Sequence, residues 1–275
     1  MLFRSPSYSF PETAAIALAR ATRYRRWRDR HETYPARLED MRTDEAAAIV
    51  AAAQAREEGW LTPEEVAKIC SCYGLPLIEQ RVVETVEDAA AAADEIGGEI
   101  ALKAIAPGVI HKTEAGAVRL HLNGAEAVRA AAREMSEKLS LLGHTASGFV
   151  VQRMAKRGVE MLVGVAHDPQ FGPVVACGAG GVQVELLRDV SVRLTPLSNE
   201  DASEMIRELK TYPLLTGFRG SVPADVTALE EGLLRVSAMV EDLPQIAELD
   251  CNPFVVHETG ATILDARIRL TGTTN

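Results

Sequence analysis

From Trp60 onward, short β-branched runs alternate with capped amphipathic helices. This alternation limits the chain to sheets covered by helices. Thr62 predicts a cap for a helix that opens Pro63-Glu64-Glu65, with proline in the first turn and acids at the positive dipole end; Gly74 ends it. Strands are expected at 77–83, 99–105, 117–122, 149–154, 159–166, 173–177 and 182–187, and helices at 86–96, 125–142, 199–210 and 224–241. Residues 246–256 and 261–270 read as a terminal hairpin. No repeat of 20–50 residues is present. The order predicts an α+β fold of two lobes, 59–150 and 151–275, with the cleft between them as the expected ligand site.

Residues 1–58 read as a separate helical segment and linker. Ala14, Ala17, Leu18 and Ala21 recur at helical spacing after Pro11-Glu12, and the helix runs into Arg20, Arg23, Tyr24, Arg25, Arg26, Trp27, Arg28 and Arg30. A basic helix end favours the negative end of the dipole, and this reading outweighs a nucleic-acid arm because the whole chain carries a net charge of -10. Residues 31–43 read as a linker and 44–58 as a second Ala-rich helix. The acidic balance argues against nucleic acid or an acidic membrane as partner. No apolar run reaches the ~20 residues that span a bilayer, and no signal-peptide pattern opens the sequence. Cys70, Cys72, Cys177 and Cys251 form no C-x-x-C pair, which fits a reducing cytoplasm, and Cys70 and Cys72 read as packing residues of a helix.

Lys103 interrupts an otherwise apolar strand, Ile100 to Ile105. Burying an ammonium is costly unless an anion such as phosphate answers it; a half-solvated position would explain the residue equally well. The loop from Pro107 to Val118 combines small residues, a cation and His111. Its backbone N–H groups suit phosphates and His111 suits a nucleophile or proton carrier, while a surface loop with an incidental histidine is the plainer reading. Cys177-Gly178-Ala179-Gly180-Gly181 joins two expected strands and is not a dinucleotide fingerprint, since no helix follows directly.

The terminal hairpin carries more information. If it folds about Glu258-Thr259, Asn252 faces Asp265, Asp250 faces Arg267 and Glu248 faces Arg269. The outer pairs fit cross-strand ion pairs. Asn252 and Asp265 have no such charge complement, and two oxygen ligands on adjacent strands suit a Mg²⁺ that also binds substrate phosphates.

Taken together, these stretches resemble the ATP-grasp domain of ADP-forming acetyl-CoA and acyl-CoA synthetases, and more distantly the succinyl-CoA synthetase β subunit. The resemblance rests on Ala101-Leu102-Lys103, Pro107 through His111-Lys112-Thr113-Glu114 to Val118, Val151-Gln152-Arg153-Met154 and Gly158-Val159-Glu160. It continues through Phe171-Gly172-Pro173, Gly178 to Gly181 and Glu248 to Pro253, covering about residues 60–270. Tyr8 to Glu12, the first helix and Trp27 look like the closing helix of the CoA-ligase domain that precedes ATP-grasp in single-chain members.

The resemblance implies an ATP-grasp fold binding ATP/ADP and Mg²⁺. Lys103 would bind phosphates, Gln152, Arg153 and Met154 would form the adenine hinge through backbone groups, and Glu160 would contact the nucleotide. Asn252 and Asp265 would hold Mg²⁺, and His111 would carry the phosphoryl group as a phosphohistidine. The full ligase reaction would need a CoA-binding subunit or domain in trans; a homo-oligomer is compatible. A non-catalytic regulatory module, like the synthetase-like domain of protein lysine acetyltransferases, is the alternative. One departure stands out: the family has two glycines where this chain has Gly116-Ala117.

Overall fold

The computed structural model describes residues 6–29, 35, 38–56, 59–106, 116–181 and 189–271. They divide into two compact units, Met1–Pro35 and Ala36–Asn275. The first holds one helix, α1 (Pro11–Arg28), with Phe10, Ile16 and Leu18 exposed. No described helix is long and apolar enough to cross a membrane.

The second unit begins with α2 (Thr43–Gln54), α3 (Pro63–Cys72), β1 (Gln80–Val83), α4 (Val86–Ile96), β2 (Glu99–Ile105), β3 (Val118–Asn123), α5 (Gly124–Leu141) and β4 (Gly148–Arg153). There follow β5 (Val159–Asp168), β6 (Gly172–Ala179), β7 (Val190–Leu194), α6 (Asn199–Arg207), α7 (Tyr212–Leu215), α8 (Val226–Asp242), β8 (Ile246–Val256), β9 (Ala261–Ile263) and β10 (Ala266–Leu270). Two sheets result. One has four strands in the order β1-β4-β2-β3; the other has six, in the order β10-β8-β5-β6-β7 with β9 paired to β8. All the strand pairings within them are antiparallel.

Each sheet buries one face under helices. Ile100, Leu102, Ala104, Phe149 and Val151 of the small sheet meet Ala93, Val128 and Met135 of α4 and α5. In the large sheet, Met161, Val163, Val165, Cys177, Leu249, Cys251 and Ile268 pack under α2, α3, α6 and α8. Each fully buried Leu, Ile or Phe contributes about 1.5–3 kcal/mol, so these two faces hold the unit together. Arg235 of α8 lies in this packing at 8% exposure, and its charge is answered by Asp40 at 2.9 Å, Glu231 at 2.7 Å and the Tyr73 carbonyl at 2.9 Å.

Several elements differ from the sequence reading. Ala46, Val50 and Ala53 of α2 and Val66, Ile69 and Cys70 of α3 join the larger core, although α2 reads with the N-terminal segment and α3 with the first lobe. The cause is packing: an apolar stripe belongs to the core it fills, whatever its place in the chain. The strand expected at 77–83 shortens to Gln80–Val83, because Ile78 N–H donates to the Ile263 carbonyl at 2.9 Å and Ile263 N–H to the Pro76 carbonyl at 2.8 Å. Strand β7 was not expected; Val190, Val192 and Leu194 point outward while Arg193 turns in to Glu208 at 2.8 Å. The strand expected at 182–187 lies outside the described residues.

Candidate functional site

The register of the terminal hairpin is the one set by a fold about Glu258-Thr259. Arg267 faces Asp250 and Arg269 faces Glu248, with Arg269 Nε donating to Glu248 at 3.0 Å. His257 N–H donates to the Gly260 carbonyl at 2.9 Å across the turn, and Asn252 N–H to the Asp265 carbonyl at 3.1 Å. Glu248, Asp250 and Asn252 therefore share the uncovered face of β8, opposite Leu249 and Cys251 in the core. Alternation puts Gly164 and Ala166 of β5 on that same face, and Ala176 of β6 beside them. With Asp250, Glu248 and Arg269 they line a groove of about 400 Å³.

Negative charge is concentrated here. The Asp250 carboxyl is raised from its ordinary value by burial, then by the nearby charge of Asp265, with Arg267 opposing and Glu248 adding. Arg267 lies 3.9 Å from Asp265, at the outer limit of an ion pair. Excess carboxylate charge of this kind is relieved by a cation. Among the described residues no group of three or more His, Cys, Asp or Glu could hold a metal by itself. One carboxylate and one carboxamide instead match the sparse protein donor set of Mg²⁺ shared with phosphates. All four thiols are buried, and burial pushes Cys70 and Cys177 up to about 12, which keeps these two protonated near neutral pH.

The small sheet approaches this hairpin with its own uncovered face. Lys103 and Gln152 lie there, since Leu102 and Val151 occupy the core face. Lys103 Nζ donates to the Leu264 carbonyl at 3.3 Å, and Gln152 Nε2 donates to the same carbonyl at 2.8 Å. Leu264 is the residue before Asp265. The expected phosphate ligand, one hinge residue and the expected metal pair thus meet at one point.

Other expected residues are placed differently. The Arg153 guanidinium turns away to Glu79 at 2.8 Å and to the Gly97 carbonyl at 3.2 Å, capping the end of α4. The N–H groups of Arg153 and Met154 donate to the Glu79 and Glu99 carbonyls at 3.0 and 2.8 Å, so both donors are used within the small sheet. Glu160 is exposed on the uncovered face of β5, where its carbonyl accepts from Gly180 N–H at 2.8 Å. A side chain at Gly181 (φ +62) would come within 2.3 Å of the Glu160 carboxylate. The glycine turn therefore packs directly on this residue. His111 lies outside the described residues. The left-handed position at Gly116-Ala117 is Gly116 (φ +72), while Ala117 is fully buried in the small core, so the alanine meets no backbone strain.

Sequence reasoning missed two anchors. The Gln152 side chain was given no role, and its partner is a main-chain oxygen that no motif marks. His257 is buried, with Nδ1 3.1 Å from the Arg157 carbonyl and Nε2 2.9 Å from the Thr262 hydroxyl. It ties the segment joining the two sheets to the hairpin.

Comparison with known proteins decides the family. The sequence profile of the ATP-grasp domain matches residues 52–270. Acetate–CoA ligase [ADP-forming] I subunit beta of Pyrococcus furiosus is 38% identical over 231 residues, 83% of this chain and 99% of that protein. The chain belongs to the ATP-grasp family of ADP-forming acid–CoA ligases. A solved structure of the Ca. Korarchaeum cryptofilum dinucleotide forming acetyl-coenzyme A synthetase 1, with coenzyme A, Ca-AMPCP and HgCl+, aligns with a TM-score of 0.76 at 39% identity, over 82% of this chain and all of that one. A second state of that protein, with coenzyme A, Mg-AMPPCP and its phosphohistidine segment pointing towards the nucleotide binding site, aligns at 0.72 and 39% identity, again over 82% of this chain and all of that one.

Proposed function

We propose that this chain is the nucleotide-binding component of an ADP-forming acyl-CoA ligase, and that it exchanges a phosphoryl group between ATP and His111. The observation carrying this is the convergence of Lys103 and Gln152 on Leu264, beside Asn252 and Asp265. Lys103 is a cation already held at the junction, where it would neutralise phosphate charge. Asn252 and Asp265 would hold Mg²⁺, which when bound offsets charge on the phosphate oxygens. Adenine would lie beside residues 152–154, read by backbone groups other than the two N–H groups already used. Glu160 on the uncovered face of β5 would meet the nucleotide from the large sheet.

In the phosphoryl step a ring nitrogen of His111 attacks the γ-phosphorus. The bond to the bridging oxygen breaks and ADP leaves. A phosphohistidine divides one difficult transfer into two easier ones. The P. furiosus relative is by name one subunit of its ligase, and a CoA-binding partner would complete acyl-CoA formation here too.

The test is incubation of the chain with γ-labelled ATP and Mg²⁺. An acid-labile label that disappears in His111→Asn is expected, with no acyl-CoA formed in the absence of a CoA-binding subunit. A chain that binds ATP yet takes up no label, with or without such a subunit, would instead act as a nucleotide-binding regulatory module.

A further inference from the structure

We propose that Gln152 is a positioning residue, which sets the metal-binding pair Asn252–Asp265 against the phosphate-binding Lys103 through the Leu264 carbonyl. The inference rests on the nucleotide-binding reading above. Gln152 is 2% exposed. A carboxamide is kept in such a place only where its bonds compensate its desolvation. Its amide group spans two elements, donating to Gln80 Oε1 at 3.1 Å and to the Leu264 carbonyl at 2.8 Å. Gln80 is its direct cross-strand neighbour, so the first bond fixes the side chain within the small sheet. The second bond crosses to the hairpin.

The acceptor peptide is held from the hairpin side as well. Leu264 N–H donates to the Pro253 carbonyl at 3.0 Å, and the next residue, Asp265, accepts from Asn252 N–H at 3.1 Å. The Leu264 peptide is therefore a short rigid link between the small sheet and the Asn252–Asp265 pair.

Lys103 shares the carbonyl at 3.3 Å, but the two donors differ in what they do when a phosphate arrives. An ammonium gains a charge-assisted bond to phosphate, stronger than its bond to a neutral carbonyl, and is drawn off. A neutral carboxamide has no such reason to leave. Gln152 then keeps the Leu264 oxygen satisfied and the spacing unchanged while Lys103 moves. A carboxylate at this position would repel the carbonyl, and a second ammonium would compete for the phosphate, so the neutral donor is the one that fits.

The test measures ADP binding by calorimetry, with and without Mg²⁺, in the full chain. Gln152→Met keeps length and volume but removes both bonds. It is expected to cut the Mg²⁺-dependent gain in ADP affinity, the ratio of affinities with and without the metal, about 5- to 10-fold, the worth of about one hydrogen bond. Gln152→Asn, too short to reach Leu264, should give the same loss, and Gln80→Met a smaller one. A merely structural role would lower both affinities together. An unchanged Mg²⁺ dependence in the Gln152 variants, or equal losses with and without the metal, overturns the inference alone. A wild-type chain whose ADP binding ignores Mg²⁺ overturns the nucleotide–metal reading and this inference with it.

Discussion

Asp189 shows at the scale of one residue how the fold keeps a buried charge. It is 6% exposed and accepts from Lys210 N–H at 2.9 Å and from Thr211 N–H and hydroxyl, each at 2.7 Å. Burial pushes its carboxyl upward, but the Thr211 hydroxyl, the two backbone donors and the Lys210 charge outweigh it and hold it below the ordinary 3.8. The folded value is the lower one, so the stabilisation is complete above the unfolded value and is lost as pH falls through the folded value. Asp189→Asn is expected to lower stability by about 1–3 kcal/mol at pH 7, because one donor is left without a partner. Urea midpoints should show the gap between wild type and variant narrowing below about pH 4. A gap that stays as wide as at pH 7 down to the lowest pH at which the wild type remains folded would sink the argument. Lys103 was visible in the sequence because a cation among apolar strand residues needs an explanation. The side-chain role of Gln152 was not, because its partner Leu264 lies 112 positions away and acts through its main chain.

At the scale of elements, helix α3 depends on its cap. Thr62 accepts from Glu65 N–H at 3.3 Å, and Glu65 accepts from Thr62 N–H at 2.9 Å, a reciprocal pair that satisfies two orphan donors. Arg56 adds an ion pair to Glu65 at 2.8 Å. Thr62→Ala should cost about 1 kcal/mol. For a unit of this size that lowers the melting temperature by about 2–4 °C, read by calorimetry, while Thr62→Ser should restore most of it. Caps of this kind are local, and both this one and the hairpin about Glu258-Thr259 were legible from sequence for that reason. Period-two alternation fixed which face of the hairpin carries Asn252 and Asp265. Strand β7 escaped because Val190, Val192 and Leu194 face outward, which reverses the usual pattern. The placement of α2 and α3 escaped because two cores compete for their apolar stripes, and sequence order does not say which wins.

At the scale of the whole unit, polar links among the described residues join two separate cores. Those identified are Lys103 and Gln152 to Leu264, the bonds of Pro76 and Ile78 to Ile263, and His257 to Arg157. A ligand gripped from both sheets adds its binding energy to the folded state alone. At 100 times its dissociation constant this amounts to about 2.7 kcal/mol. Mg²⁺ with ADP at that level should therefore raise the melting temperature by about 5–10 °C. If Asn252 and Asp265 hold the metal as proposed, the metal-dependent part of the rise depends on them, and Asp265→Ala should retain only the shift seen with ADP and EDTA. On the proposed reading the Lys103 cation would meet phosphate whether or not the metal is present, so Lys103→Met should lose part of the shift under both conditions. Equal shifts in wild type and Asp265→Ala at saturating Mg²⁺ would show that the metal is held elsewhere, and the hairpin would lose its place in the site.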